Sequence, residues 1–403
     1  MVKQIKLSNN KRLPVIYRND CDFVPILQPL VYTVLKLKNK AFETITKQLQ
    51  VIDFLYQYFA ENNHDLDELI INGDYHKIFD HLNPFLNLYL HSKAEQKSRN
   101  LSRAQLNFKA MAVKSYLVWC LSRHVDSYSD EAKKSRITSC FKTRLSAFFE
   151  TYTLPGETGK KVYRSLSNQD FTKLLEIIEP KSVNNPFQQT EQTRNYLIFH
   201  LLLHTGIRLG ELLLLRSSSI KEINSHYYIS ICQINELDDS RNRPPSIKNR
   251  QSERIVSIGE DTYELCQHYI MNNRRPKKNG KKAKLEHGFL LTSELGKPLS
   301  QSTIAYIFRK IDGLRNTGIG LSKRISPHVL RHTFCDRFLK FLIEERGVDM
   351  ERAKDELRSV CGWTTNSNMP LHYAAKYINE KANEHNLERI QSSKKRHAES
   401  IKR

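Results

Sequence analysis

Between residues 151 and 164 the sequence TYTLPGETGKKVYR interrupts every apolar periodicity around it. Pro155, Gly156 and Gly159 oppose regular structure, and Lys160, Lys161 and Arg164 favour water over a core. A connection of that kind runs over a surface, so a chain of 403 residues that contains it has to build a core on each side. We read residues 151–164 as a linker between two domains.

On the N-terminal side, Phe42, Ile45, Leu49, Ile52, Leu55 and Phe59 recur at intervals of three and four, the stripe of an amphipathic helix. A second helix is expected over 101–122, with Leu106, Met111, Val113, Leu117, Val118 and Leu121 apolar and Arg103, Lys109 and Lys114 forming a basic face. Shorter helices around 76–91 and 133–149 complete an all-helical domain over 21–150. Residues 1–20 are too short for a domain of their own and read as a pairing segment or a disordered end. Past the linker, Ser167 stands three residues before Asp170 and the apolar run FTKLLEII, a capping-box-like helix start with Asp in place of Glu. A second domain, 165–385, begins there. It is mostly helical, but YYISICQI (227–234) and RIVSI (254–258) are β-branched runs that predict a small antiparallel sheet. The fold class is therefore mostly α with a small antiparallel β-sheet. NNRRPKKNGKKAK (272–284) has seven basic residues and no acid and reads as an exposed loop, and 386–403 as a basic, mobile tail.

The chain carries 64 Lys+Arg against 43 Asp+Glu, a net charge of +21, which favours a polyanionic partner. Residues 1–90 hold 10 basic and 10 acidic residues, 91–150 hold 12 and 5, and 151–403 hold 42 and 28. Basicity in two separate parts of the chain suits two domains on one long polyanion. No run approaches the roughly 20 apolar residues that span a bilayer, and the first residues have no apolar signal-like stretch. The seven cysteines are scattered and never spaced C-x-x-C, so reduced thiols in a cytoplasmic protein are expected. G-x-x-x-x-G-K-[ST], H-E-x-x-H, G-x-S-x-G and metal-spaced Cys/His sets are absent from the sequence, and no cofactor or metal is expected.

Four clusters stand out: HTGIRLGELLLLR (204–216), PSIKNRQSERIV (245–256), SPHVLRHTF (326–334) and CGWTTNSNMPLHYAAKY (361–377). Taken singly, each is commonplace; an Arg after Thr-Gly is usually a surface charge, and Tyr373 is one of 18 tyrosines. In this order, however, the chain resembles the tyrosine recombinase (phage integrase-like) family over nearly all of 165–380. The resemblance maps the family's first arginine to Arg208, its hairpin lysine to Lys248, its P-H-x-L-R-H-T helix start to Pro327 through Thr333, and its G-[HW] and later tyrosine to Gly362, Trp363 and Tyr373. It implies a two-domain DNA clamp, with a helical core-binding domain and a catalytic domain. It also implies a homotetramer on double-stranded DNA with inverted half-sites, a Holliday junction, accessory DNA-bending or directionality factors, and a C-terminal tail docking on a neighbour.

A phosphodiester under attack gathers negative charge on its nonbridging oxygens, so rate comes from preorganised cations and donors. By the resemblance, Arg208 and Arg331 supply planar charged forks. Tyr373 attacks phosphorus to give a 3′-phosphotyrosyl intermediate, His328 assists its proton transfer, and Lys248 protonates the departing 5′ oxygen. Trp363 stands where the family often has His; indole donates only, so N–H donation and packing remain for it. Glu211 either orients this site or is a helix-surface acid. The Trp363-to-Tyr373 spacing is one residue longer than the commonest one, which leaves Tyr377 as the alternative nucleophile. A covalent intermediate keeps the energy of the broken bond, so rejoining requires neither ATP nor a metal. The competing functions are a type IB topoisomerase, with a similar residue set, and a noncatalytic DNA-binding factor of the same fold.

Overall fold

The structure, a computed structural model, describes residues 1–7, 12–18, 24–95, 102–152, 165–234, 239–241, 244–247, 252–275, 277–278, 281–282 and 284–401. The chain divides into two compact units, Met1–Lys161 and Val162–Arg403.

The first unit opens with an antiparallel hairpin of β1 (Val2–Lys6) and β2 (Arg12–Ile16), in register Val2 to Ile16. Val15 and Ile16 are buried, so β2, within the segment read as a pairing or disordered end, packs into the core. Helices α1 (Leu27–Leu35), α2 (Phe42–Glu61), α3 (Leu66–Ile71), α4 (Tyr75–Pro84) and α5 (Leu90–Glu95) follow, with one π turn at Phe85–Tyr89 between the last two. The α2 stripe packs inward as its spacing requires, with Leu49, Ile52, Leu55 and Phe59 at 1% exposure or less. Helix α6 (Arg103–Asp126) starts on a full capping box of Ser102 and Gln105. Its inward face is Ala110, Val113, Tyr116, Leu117, Cys120 and Leu121. Met111, expected on that face, is exposed because one residue past Ala110 is about 100° around the helix. Helix α7 (Glu131–Tyr152) closes the unit, burying Leu145 and Phe149.

The second unit is organised around α9 (Gln189–Thr205), where Leu197, Ile198, Phe199, Leu201, Leu202 and Leu203 are all buried. A helix apolar on all sides belongs in the middle of a core. Before it, α8 (Asn168–Ile178) is capped by Ser167, which accepts the Asp170 amide. The Asp170 carboxylate is taken instead by the amide and hydroxyl of Ser322, so the expected box is one-sided. After α9 come α10 (Leu209–Leu214) and a three-stranded antiparallel sheet of β3 (Ile220–Ile223), β4 (His226–Ile231) and β5 (Arg254–Ile258). Ile220, Ile229 and Val256 are cross-strand neighbours and form its buried row. Strand β4 ends three residues earlier than expected, and β3 adds an unforeseen edge.

Helix α11 (Glu260–Asn272) leads into the basic segment, where the short pair β6 (Lys277–Lys278) and β7 (Lys281–Lys282) lies. Arg274 is no loop charge: it is buried and donates to the carbonyls of Phe289 and His287. Helices α12 (Gln301–Gly313), α13 (Pro327–Lys340) and α14 (Met350–Val360) precede α15 (Met369–Ile401), a single helix through the tail read as mobile. Its sequence beyond Pro370 contains neither proline nor glycine, so nothing in it stops propagation. No helix among the described residues is long and apolar enough to cross a membrane.

Candidate active site

Two glycine turns build the site. Helix α9 ends at Gly206 in the left-handed conformation (φ 60°), where an added Cβ would lie 2.2 Å from the Phe334 ring. The carbonyl of Gly206 accepts from one Nη of Arg331. After α14, Gly362 is also left-handed (φ 59°), and its carbonyl accepts from Arg208 Nη2 at 3.2 Å and Ser252 Oγ at 3.3 Å. The preceding carbonyl, of Cys361, accepts from Arg331 Nη2 at 2.7 Å. One turn thus anchors both guanidiniums through two successive backbone oxygens. Since α10 follows Gly206 and α13 carries Arg331, three distant parts of the sequence meet there.

Glu211 sets the electrostatics. Its side chain is 1% exposed and accepts from Arg208 Nη1 at 2.6 Å, the Arg208 amide at 2.9 Å and Arg254 Nη2 at 3.0 Å. Burial alone would raise its pKa, but the Arg254 guanidinium, with Arg208 behind it, holds the carboxyl below its usual range. Burial pulls Arg208 below its ordinary value, and the like charge of Arg331 adds to that. Arg254 also spans to the Val360 and Ser252 carbonyls, tying β5 to the end of α14. Of the two sequence alternatives for Glu211, an orienting acid and a surface acid, the structure shows the first.

Trp363 follows the glycine turn with Arg331 over its face at 5.3 Å, and the Tyr373 ring stacks against it at 5.7 Å and 17°. Tyr373 is 5% exposed, and its hydroxyl pairs with His332 Nδ1 at 2.6 Å. Burial pushes its phenol far above the ordinary value of 10.0, and the Cys335 thiol beside it adds to the rise. His328 meets this group indirectly, through His332, with Nε2 facing Nε2 at 3.0 Å. Tyr377 lies elsewhere, its phenol beside Glu344. Lys248 lies outside the described residues.

The sequence expectations therefore come together for Arg208, Arg331, Trp363 and Tyr373, and one step removed for His328. His332, Arg254 and Ser252 were not singled out as site residues. The signal for His332 was present as an i, i+4 pair with His328 on one helix.

Residues 164–380, more than half of the chain, match the phage integrase family model. The chain belongs to the phage integrase family, the tyrosine recombinases. This tyrosine-type site-specific recombinase is 25% identical over 264 residues to tyrosine recombinase XerA of Thermococcus onnurineus, covering 66% of this chain and 69% of that protein. It is 24% identical over 172 residues to transposase A from transposon Tn554 of Staphylococcus aureus, 42% of each chain. A crystal structure of the XerH site-specific recombinase in a post-cleavage complex with palindromic difH substrate shares its fold, with a TM-score of 0.52 and 18% identity over 86% of this chain and 80% of that one. In this recombinase, the Arg208 and Arg331 forks share one anchoring turn whose next residue stacks on a tyrosine. Chemically, that gathers two guanidinium cations on a turn next to a tyrosine phenol.

Proposed function

We propose that this recombinase cleaves and rejoins DNA strands through a 3′-phosphotyrosyl intermediate on Tyr373, for integration and excision of a mobile element. The observation that carries this is the convergence of Arg208, Arg331 and the Trp363–Tyr373 stack on the turn at Cys361–Gly362. Arg208 and Arg331 hold the nonbridging oxygens of the scissile phosphate; the carbonyls that fix them keep the guanidiniums in place before DNA arrives. Trp363 supports Arg331 and Tyr373 together, and Lys248 protonates the leaving 5′ oxygen. Residues 21–150 serve as a core-binding domain and 165–385 as the catalytic domain, gripping duplex DNA with inverted half-sites. Four copies exchange strands between two duplexes through a Holliday junction. The likeness to a transposon-encoded transposase supports the mobile-element role.

The test is covalent capture. The protein is incubated with nicked duplexes whose inverted half-sites are randomised, adducts stable to denaturation are recovered, and the DNA is sequenced. Wild type should enrich a defined inverted pair, and Tyr373→Phe should give no adduct. Adducts from Tyr373→Phe would remove Tyr373 as nucleophile, and wild-type adducts without any sequence enrichment would point to topoisomerase-like relaxation instead.

A further inference from the structure

A buried phenol that attacks phosphorus must give its proton to something, and the base in contact with Tyr373 is His332. The Tyr373 hydroxyl lies 2.6 Å from Nδ1 of His332, and Nε2 of the same ring lies 3.0 Å from Nε2 of His328. His332 stands one residue after Arg331 on α13, and exposed His328 sits one turn earlier, in the first turn of the helix. The three groups form a line from a phenol at 5% exposure to the protein surface. Two ring nitrogens facing each other hold one proton between them, because two lone pairs or two N–H bonds would repel. When the phenol donates to Nδ1 of neutral His332, the proton of that ring is on Nε2, and it is the one donated to His328. Among the described residues, Arg331 and Cys335 from α13 and Cys361 from the turn are ionisable groups that act on the phenol. Burial already holds the phenol protonated at neutral pH, so free phenolate is not available as nucleophile.

We propose that His332 is a catalytic residue of strand cleavage, taking the proton of Tyr373 and relaying it through His328 to solvent. This rests on Tyr373 being the nucleophile. As Tyr373 Oη bonds to phosphorus and the P–O5′ bond breaks, the phenol proton passes to His332 Nδ1 and the His332 Nε2 proton passes to His328 Nε2. His332 ends neutral in its other tautomer, and His328 ends as an exposed imidazolium. The 5′ oxygen takes its proton separately, from Lys248. Rejoining runs the same transfers backwards.

The experiment is single-turnover cleavage of the duplex selected by covalent capture, made with an ordinary 5′ oxygen and with a 5′-bridging phosphorothiolate, whose sulfur leaves without a proton. His332→Gln should slow adduct formation about 10²–10⁴-fold on both substrates, because the missing step is at the nucleophile. The wild-type rate should rise with pH as the histidine pair becomes able to accept a proton, and that limb should vanish in His332→Gln. Added imidazole should restore part of the rate to His332→Ala. His328→Gln should lose less, since His332 still accepts. DNA affinity measured in parallel reports that each variant is folded.

Recovery of His332→Gln on the phosphorothiolate would move its role to the leaving group. A slow variant that keeps the pH limb and ignores imidazole would make His332 a positioning residue. Either result overturns the relay. If Tyr373→Phe abolishes adducts while His332→Gln matches wild type, the relay alone fails; if Tyr373→Phe still forms adducts, the nucleophile assignment fails with it.

Discussion

With three donors on one carboxylate and almost no solvent, Glu211 holds two guanidiniums that would otherwise repel each other. Removing one member of a buried ion pair is costly because the other is left uncompensated, typically about 3–5 kcal/mol. Glu211→Gln keeps the shape and one acceptor oxygen, so the lower end, about 3 kcal/mol, is expected as a drop in urea-unfolding stability. Covalent adduct formation should fall as well, because Arg208 loses its tightest anchor. A variant within about 0.5 kcal/mol of wild type, the range of ordinary surface changes, would show that the other contacts hold the arginines unaided. The sequence made Arg208, Arg331, Trp363 and Tyr373 legible because each lies in a short motif and the motifs occur in one order. It could not show that Glu211 is buried, since a helix of six residues is too short for a periodic face. Nor did PHVLRHT reveal which of its two histidines reaches Tyr373; that depends on how α13 packs against α15, a contact between residues 41 apart in the chain.

Helix α9 shows what a fully buried element does to its polar residues. His200 is 7% exposed and pairs through Nε2 with Thr262 Oγ1 at 2.9 Å, while the ring of His204 lies 4.3 Å away. Burial is the main cause that lowers the His200 pKa from 6.5 to about 4, with His204 adding to it. The unfolded chain therefore takes up a proton, below about pH 6.5, that the folded helix refuses until about pH 4. Stability is complete above the higher value and declines as pH falls through this window, by at most about 3 kcal/mol. His200→Gln retains a partner for Thr262 without titrating. Its urea midpoint should start lower at neutral pH and then fall less steeply than wild type between about pH 6.5 and 4; parallel curves would show that His200 is not the group responsible. Elements with their own periodicity or caps, such as α2 and α6, were legible in the sequence. The β1–β2 hairpin was not, because its burial comes from packing on α2, and the continuity of α15 through a polar tail was hidden because charge alone resembles a mobile end.

At the scale of the molecule, the +21 is an association term whose location matters more than its size. The first unit carries its excess in α6 and α7, where Arg136, Lys142 and Arg144 are exposed on α7. These residues lie outside the unit that contains Arg208, Arg331 and Tyr373. If they neutralise DNA phosphates, each one releases counterions and adds about 0.9 to the steepness with which log K falls against log salt. Wild type should thus lose affinity sharply between about 50 and 200 mM salt, by 10³-fold or more if about six phosphates are engaged. Replacing Arg136, Lys142 and Arg144 together by Gln should flatten the slope by up to about 2.7 and weaken binding at low salt. At saturating DNA, the same triple variant should form the covalent adduct at the wild-type rate, because Arg208 and Arg331, the cations proposed to act on the phosphate, are in the other unit. An unchanged slope would take α7 off the DNA, and a slowed adduct at saturation would mean that the first unit does more than hold the duplex.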